Sequence, residues 1–139
     1  MKKIFLLLVP FLLFSCKHNK SGGQSESKLD YSIVTTHIKW EDVFNQQELD
    51  YFVYFYSTTC AHCAAIKQEI LSYYLEEKVT MYFVCVDNQG RFGKVSDLTG
   101  ICKIDDFYIF GTPFYVEIKN NKVYKYYAGA TAIREIISK

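Results

Sequence analysis

The sequence predicts an α/β domain in which a central mixed β-sheet is flanked by helices. Three observations predict it: a continuous aromatic and β-branched run at residues 51–56, a helical pattern at residues 61–78, and a hairpin followed by a helix at residues 114–138. In chain order the predicted elements are β, α, β, α, β, α, β, β, α. Strands that alternate with helices form parallel pairs, whereas the hairpin adds an antiparallel pair.

The first half of the domain contains three predicted strands and two predicted helices. Residues 31–38 are rich in β-branched side chains and predict a strand, and residues 40–49 place apolar side chains among polar ones, as in a short helix. Residues 51–56 predict a strand that is buried on both faces. Residues 61–78 have apolar side chains at three- and four-residue steps, which predicts a helix, and residues 79–86 predict another strand.

The second half begins with an irregular segment at residues 93–107, where a short helix and a loop are expected. Residues 114–119 and 122–127 predict two strands, and the Asn120-Asn121 pair between them tolerates the positive φ angles of a tight turn. Residues 129–138 predict a closing helix with its isoleucines on one face. Helices are therefore expected on both sides of the sheet.

The first sixteen residues have the layout of a bacterial export signal. Lys2 and Lys3 precede an apolar run at residues 4–14, and Ser15 stands before Cys16. Residues 13–16, Leu-Phe-Ser-Cys, resemble a lipobox, the site at which a cysteine receives a diacylglycerol group and becomes the mature N-terminus. The apolar run is too short for a membrane-spanning helix, which needs about 20 residues. An ordinary cleaved signal without lipid is the alternative.

The predicted domain organisation follows from this signal. Residues 1–15 form the signal peptide, residues 16–29 a lipidated N-terminus and flexible tether, and residues 30–139 the folded domain. The protein is expected in the bacterial cell envelope, outside the cytoplasm and anchored to the membrane through a lipid on Cys16. A formal net charge of +1 over the chain argues against nucleic acid as a partner, because phosphate contacts need a basic surface.

Cys60 and Cys63 lie where the predicted strand at residues 51–56 is followed by a helix. Two cysteines at positions i and i+3 at the start of a helix lie on one face, so their sulfurs can bond. The unpaired N–H groups and partial positive charge of a helix N-terminus stabilise a thiolate, which is the attacking species in disulfide exchange. Cys60 is expected to be the nucleophile, and Cys63 the resolving thiol.

The two residues between the cysteines, Ala61 and His62, are candidate tuning residues. A protonated His62 would add positive charge beside the Cys60 thiolate, stabilise the reduced form and make the disulfide more oxidising. The alternative is that His62 is an exposed histidine without effect on the thiols.

At this motif the chain resembles the thioredoxin family. Residues 54–63 (YFYSTTCAHC) are similar to the family's strand and redox loop, Gly111-Thr112-Pro113 is similar to its second signature, and the final hairpin and helix also match. The resemblance covers about residues 30–139 and implies a thioredoxin-like fold and thiol–disulfide exchange without a cofactor. It also implies that Pro113 is a cis-proline packed against the disulfide, and that Thr112 offers backbone hydrogen bonds to a substrate segment.

Two departures from the thioredoxin pattern leave the direction of electron flow open. Thioredoxins have a buried acid in the strand before the motif, where this sequence has Tyr54. The Cys-X-His-Cys form of residues 60–63 looks more like exported oxidases and isomerases, although those oxidases often have a helical insertion for which this chain has no room. A reductase, an oxidase and an isomerase are therefore all retained as alternatives.

Two further cysteines of the domain, Cys85 and Cys102, stand outside the motif. In an oxidising compartment they could pair in a structural disulfide, or each could be a separate thiol. A zinc site that combines them with Cys60 and Cys63 is disfavoured, because structural zinc sites use two closely spaced pairs and the second pair is absent. No metal is therefore expected.

Three functions are compatible with these features. The first is a membrane-anchored thiol–disulfide oxidoreductase that exchanges disulfides with exported proteins and with a redox partner in the membrane or envelope. The second is a dedicated accessory or binding module of the same fold, as in peptide-toxin export, with little general redox activity. The third is a metal-binding module, which the cysteine spacing disfavours. The sequence favours the oxidoreductase.

Overall fold

The computed structural model describes residues 27–94 and 97–139 of the chain. The predicted signal peptide, the lipidation residue Cys16 and most of the predicted tether lie outside the described residues. Within the two described ranges, no helix has both the length and the apolar character needed to cross a bilayer.

A four-stranded mixed β-sheet forms the centre of the fold. Its strands are β1 (Tyr51–Tyr56), β2 (Met81–Cys85), β3 (Phe114–Lys119) and β4 (Lys122–Ala128), in the order β2-β1-β3-β4. The β1–β2 pair is parallel, whereas the β1–β3 and β3–β4 pairs are antiparallel. The predicted α/β class with a central mixed sheet is confirmed, and these four strands lie within about two residues of their expected ends.

One face of the sheet is covered by two helices, α1 (Ala61–Leu75) and α2 (Ala130–Ile137). Their apolar side chains pack against those of the strands in one buried cluster, which includes Tyr54, Tyr56, Cys63, Ile66, Ile70, Phe83, Tyr115 and Ile133. The cluster explains the apolar spacing that predicts α1, because side chains three and four residues apart face the sheet together.

The opposite face of the sheet is covered by turns and loops. Residues 40–49 form one short 3₁₀ turn, Trp40–Asp42, instead of the expected helix. The Gln46 side chain donates a hydrogen bond to the Asp42 carbonyl at 2.7 Å. In a continued helix, this carbonyl would instead accept the backbone N–H of Gln46. Residues 93–107 likewise contribute only the 3₁₀ turn Ile104–Asp106 among their described part. The expectation of helices on both faces is therefore wrong.

The segment that precedes these turns also differs from the prediction. Residues 31–38 form a 3₁₀ turn, Tyr31–Ile33, and a single parallel bridge from His37 to Phe83 of β2. Asp30 stabilises the turn, because its carboxylate accepts a hydrogen bond from the backbone N–H of Ser32 at 3.2 Å. The expected first strand is therefore wrong, and this segment instead lies along the edge of β2.

The hairpin between β3 and β4 follows the prediction. Asn120 and Asn121 have φ angles of 50° and 58°, a conformation that asparagine adopts more readily than most residues. Gly129, with a φ angle of 87°, then precedes α2. The chain thereby returns to the face of the sheet on which α1 packs.

Candidate dithiol site

Cys60 lies at the junction of strand and helix that the sequence predicts. The loop at residues 57–59 follows β1, and Cys60 is the N-cap residue of α1 with a φ of −83° and a ψ of 119°. Its Sγ accepts the backbone N–H of Cys63 at 3.3 Å, in the position that an N-cap side chain usually takes. The first turn of α1 thus directs an otherwise unpaired N–H group at the sulfur of Cys60.

The Thr112–Pro113 segment lies beside Cys60, although Thr112 is 52 residues further along the chain. The Cys60 thiol donates to the Thr112 carbonyl at 3.2 Å, and the Thr112–Pro113 peptide bond is cis. Sheet register explains this contact, because β3 starts at Phe114, which pairs with Phe55 near the end of β1. The structure therefore brings together the two loops that the resemblance implies.

Hydrogen bonds lower the pKa of the Cys60 thiol. Partial burial alone would raise the pKa, but hydrogen bonds of Sγ with the Thr112 side chain, with the Cys63 thiol and with the backbone N–H groups of Cys63 and His62 outweigh it. A lowered pKa increases the thiolate fraction near neutral pH. The environment of Cys60 therefore suits a nucleophile.

Cys63 lies one turn further along α1, where it is only 1% exposed. Burial raises the pKa of its thiol to about 11, and the neighbouring Cys60 sulfur also raises it. Both cysteines are free thiols in the structure. The site thus holds a neutral, buried thiol behind a half-exposed and more acidic one.

Asp87 anchors the loop that precedes Cys60. It follows β2 by two residues, and its carboxylate accepts the backbone N–H of Thr58 at 3.1 Å and the Thr58 hydroxyl at 2.5 Å. Hydrogen bonds from Ser57 and Thr58 lower the pKa of the Asp87 carboxyl. In the sequence, Asp87 stands only in a turn after a strand. Because β1 and β2 are parallel, the loops that follow them lie at the same edge of the sheet, and this is the signal that could have identified Asp87 as a partner of the redox loop.

Ala61 and His62 are exposed in the first turn of α1. The backbone N–H of His62 helps to lower the pKa of Cys60. An effect of the His62 imidazole on the thiols stays a prediction.

Cys85 and Cys102 are separate thiols in the structure. Cys85 is half-buried at the end of β2, and Cys102 is exposed in the segment between β2 and β3. Of the two alternatives that the sequence leaves open, the structure therefore has the unpaired one. In the part of the chain that the structure describes, no three His, Cys, Asp or Glu side chains cluster in a way that would hold a metal ion.

Tyr54 occupies the position at which thioredoxins have a buried acid. Its side chain is fully buried, and burial raises the pKa of its phenol far above the ordinary value. This position of β1 therefore holds a neutral hydroxyl and no carboxylate.

The fold and the site together define a protein of the thioredoxin fold with a dithiol at a helix N-terminus. The β1-α1-β2 unit, the β3–β4 hairpin and α2 make the fold, and the Cys60-Ala61-His62-Cys63 motif faces a cis-proline loop. The motif cysteines and the Thr112–Pro113 segment, which the sequence identifies separately, are thus adjacent in the structure.

Comparison with solved structures identifies the same fold. The chain is similar to thioredoxin f2 of Chlamydomonas reinhardtii, with a TM-score of 0.52 and 16% identity, over 73% of this chain and 89% of that one. It is also similar to the reduced thioredoxin pre-protein of Schistosoma mansoni, with a TM-score of 0.50 and 19% identity, over 73% of this chain and 93% of that one. No family model and no curated protein matches the sequence. The predicted thioredoxin-like fold is confirmed.

Proposed function

We propose that this protein is a thiol–disulfide oxidoreductase, anchored to a membrane outside the cytoplasm, that exchanges disulfides with exported proteins. The observation that supports the proposal most directly is the asymmetry of the two thiols at the start of α1. Cys60 is half-exposed and has a lowered pKa, whereas Cys63 is buried and has a pKa raised to about 11. Disulfide exchange in two steps requires such a pair, one thiol that attacks and one that resolves.

In the first step, the Cys60 thiolate attacks one sulfur of a substrate disulfide. A bond forms between Cys60 and that sulfur, the substrate S–S bond breaks, and the other substrate sulfur leaves as a thiolate. In the second step, Cys63 loses its proton and attacks Cys60, which forms the Cys60–Cys63 disulfide and releases the second substrate sulfur. The substrate gains the two electrons that the protein loses, and the steps run in reverse when the protein oxidises a dithiol.

The loop at Thr112 and Pro113 is the proposed binding surface for the substrate. The Thr112 carbonyl lies 3.2 Å from the Cys60 sulfur, so a substrate sulfur that is bonded to Cys60 lies beside this backbone. Hydrogen bonds to the backbone of Thr112 would hold an extended substrate segment during attack. Pro113 has no N–H group and therefore adds no competing donor next to the thiols.

The membrane location of the proposal depends on the N-terminal sequence. A lipid on Cys16 and a polar tether at residues 17–28 would keep the domain near the membrane, where exported proteins and an envelope redox partner reach it. Cell fractionation tests this part: the wild-type protein is expected in the membrane fraction, and a Cys16→Ser variant in the soluble fraction. Membrane retention of the variant would contradict the lipid anchor.

Turnover of a protein disulfide with a thiol reductant tests the proposed activity. Cys60→Ser is expected to abolish turnover, and Cys63→Ser to accumulate a mixed disulfide at Cys60, because the resolving thiol is missing. Cys102→Ser removes an exposed thiol outside the site and is expected to keep full activity. Turnover that survives Cys60→Ser would contradict the proposal. If the wild-type protein turns over no disulfide, the dedicated accessory or binding module is the better account.

A further inference from the structure

Residues 29–33, here called the N-terminal strap, are held against α1 by two neighbouring side chains of that helix. The backbone N–H of Leu29 donates to Oε1 of Gln68 at 2.8 Å, and Nε2 of Gln68 donates to the Leu29 carbonyl, also at 2.8 Å. The carboxylate of Asp30 forms an ion pair with Lys67. The beginning of the strap is thus attached to α1 one turn after the motif cysteines.

The N-terminal strap covers the side of α1 on which the thiol of Cys63 is buried. Tyr31 of the strap and Cys63 both line a cavity of about 220 Å³, and the Tyr31 ring stacks on that of Tyr56, a third lining residue, with centroids 3.8 Å apart. Cys60 is not among the residues that line this cavity. The space beneath the strap is therefore a second approach to Cys63, separate from the side that faces Cys60.

The chain that follows the strap is fixed more firmly than the strap itself. The Thr36 carbonyl accepts the backbone N–H of Phe83 in β2 at 3.0 Å, and the backbone N–H of Ile38 donates to the Phe83 carbonyl at 2.9 Å. The hydrogen bonds of Leu29 and the ion pair of Asp30 are instead exposed, so water competes for the same groups. The strap can therefore open locally while the chain from Thr36 onwards stays on β2.

One group of the strap also favours opening. The hydroxyl of Tyr31 is buried without a hydrogen-bond partner. A buried polar group without a partner destabilises the state in which it is buried, and water satisfies this hydroxyl once the strap opens. The closed strap is therefore held by a few exposed contacts and by ring stacking, and it is opposed by an unpaired hydroxyl.

We propose that the N-terminal strap opens and closes over Cys63 and thereby controls which sulfur compounds reach this thiol. The proposal rests on the proposed function and adds a regulation of the same site. While the strap is closed, Cys63 has one reaction partner, the sulfur of Cys60. While it is open, Cys63 can lose its proton to water and attack an external disulfide, so that it bonds to one sulfur and releases the other as a thiolate.

The rate at which N-ethylmaleimide modifies Cys63 tests the proposal, measured by peptide mass spectrometry in the full chain with Cys60→Ser as the parent. Modification follows the open fraction of the strap, because the reagent reaches Cys63 through the opened cavity. Gln68→Ala removes both hydrogen bonds to Leu29 from a side chain that does not line the cavity, and it is expected to raise the rate at Cys63 by about tenfold. Tyr31→Ala removes the covering ring and is also expected to raise the rate.

Glu69→Ala is the matched control. Glu69 is the next residue of α1, is exposed like Gln68, and accepts two hydrogen bonds from Arg134 of α2 at 2.7 and 3.2 Å. The variant thus removes two exposed hydrogen bonds from the same helix without touching the strap. Cys63 is expected to react at the parent rate, and the exposed thiol of Cys102 is the internal reference for the reagent.

A parent rate at Cys63 in either Gln68→Ala or Tyr31→Ala would overturn the inference. If Tyr31→Ala does not fold, Gln68→Ala alone decides, because it replaces an exposed side chain. An equal increase in Glu69→Ala would also overturn it, because the whole of α1 would then be loosened. Failure of the proposed function is distinguishable, since alkylation of Cys63 needs no disulfide turnover, whereas that failure would appear as no turnover by the protein with both cysteines.

Discussion

At the scale of single residues, two cysteines with the same side chain have different chemistry because their surroundings differ. Cys60 caps α1 and accepts backbone N–H groups, whereas Cys63 points into the cluster between α1 and the sheet. Hydrogen bonds donated to a thiolate stabilise it and lower the pKa of the cysteine, whereas burial without such bonds destabilises the thiolate and raises the pKa. The order of attack and resolution is therefore decided within one turn of helix.

Alkylation of the reduced protein with iodoacetamide is expected to modify Cys60 before Cys63. Cys60 has a pKa below the ordinary value of 9.0, and Cys63 has a pKa of about 11. The two pKa values therefore differ by more than about two units, which gives more than about a hundredfold difference in thiolate fraction. The weaker nucleophilicity of the more acidic thiolate offsets about half of this difference on a logarithmic scale. Cys60 should thus react at least about tenfold faster near neutral pH, and Cys63 should gain reactivity only as the pH rises towards 11.

Peptide mass spectrometry of timed samples measures this difference. Cys102, an exposed thiol outside the site, serves as the internal reference in the same digest. Equal rates at Cys60 and Cys63 across the pH range would contradict the assignment of nucleophile and resolving thiol.

Residues of the motif could be predicted from the sequence, whereas their supporting residues could not. Cys60 and Cys63 form a local pattern, and Thr112 and Pro113 match a second one. Asp87 belongs to no motif, because its role arises from a contact with Thr58, which lies 29 residues away along the chain. Such contacts depend on how the elements pack, which a local pattern does not specify.

At the scale of elements, the redox loop is held by the strand beside it. β1 and β2 run parallel and end at the same edge of the sheet, so the residue after one strand can reach the loop after the other. Asp87 uses this geometry when it binds the backbone and the hydroxyl of Thr58. The position of Cys60 therefore depends on β2 as well as on α1.

Replacing Asp87 with alanine is expected to loosen this loop. The Thr58 N–H loses its acceptor, so amide hydrogen exchange in the segment Ser57–Thr59 should increase, as peptide mass spectrometry can detect. Asp97→Ala is the matched control, because Asp97 is also exposed and also accepts a backbone N–H, that of Thr99 at 2.9 Å, in another loop. An exchange rate in the segment Ser57–Thr59 that is the same in both variants would show that Asp87 does not anchor the loop.

Elements with a strong pattern could be predicted, and weakly patterned ones could not. The run at residues 51–56 and the spacing at residues 61–75 reflect burial against the sheet, which leaves a periodic trace in the sequence. Residues 31–38 have β-branched side chains but only one bridge to a neighbouring strand. In residues 40–49 the Gln46 side chain competes for the backbone, so propensity is overridden by local hydrogen bonds.

At the scale of the whole molecule, the core is unusually rich in buried tyrosine. Tyr51, Tyr54, Tyr56 and Tyr115 are each less than 5% exposed and lie on both faces of the sheet. Burial raises the pKa of all four, and that of Tyr51 to about 12. Ionisation of these phenols is therefore linked to unfolding.

The fold is expected to lose stability as the pH rises from about 10 to about 12. A group with a raised pKa in the folded state contributes stability that is complete below its unfolded pKa, here 10.0, and is lost as the pH passes through the folded pKa. Parallel titration of tyrosinate absorbance and far-ultraviolet circular dichroism measures the effect, and the two changes should coincide for the buried tyrosines. Full tyrosine ionisation near pH 10 with an intact fold would contradict the burial described here.

The account as a whole depends on a reversible bond between Cys60 and Cys63, and equilibration in glutathione redox buffers measures it most directly. Mass spectrometry of trapped samples should find the two sulfurs joined in one disulfide, with a midpoint potential between about −270 and about −120 mV. A value near the lower limit would assign the protein as a reductase, and a value near the upper limit as an oxidase. No Cys60–Cys63 bond at any redox poise, or a bond of Cys60 to Cys85 or Cys102 instead, would contradict the account.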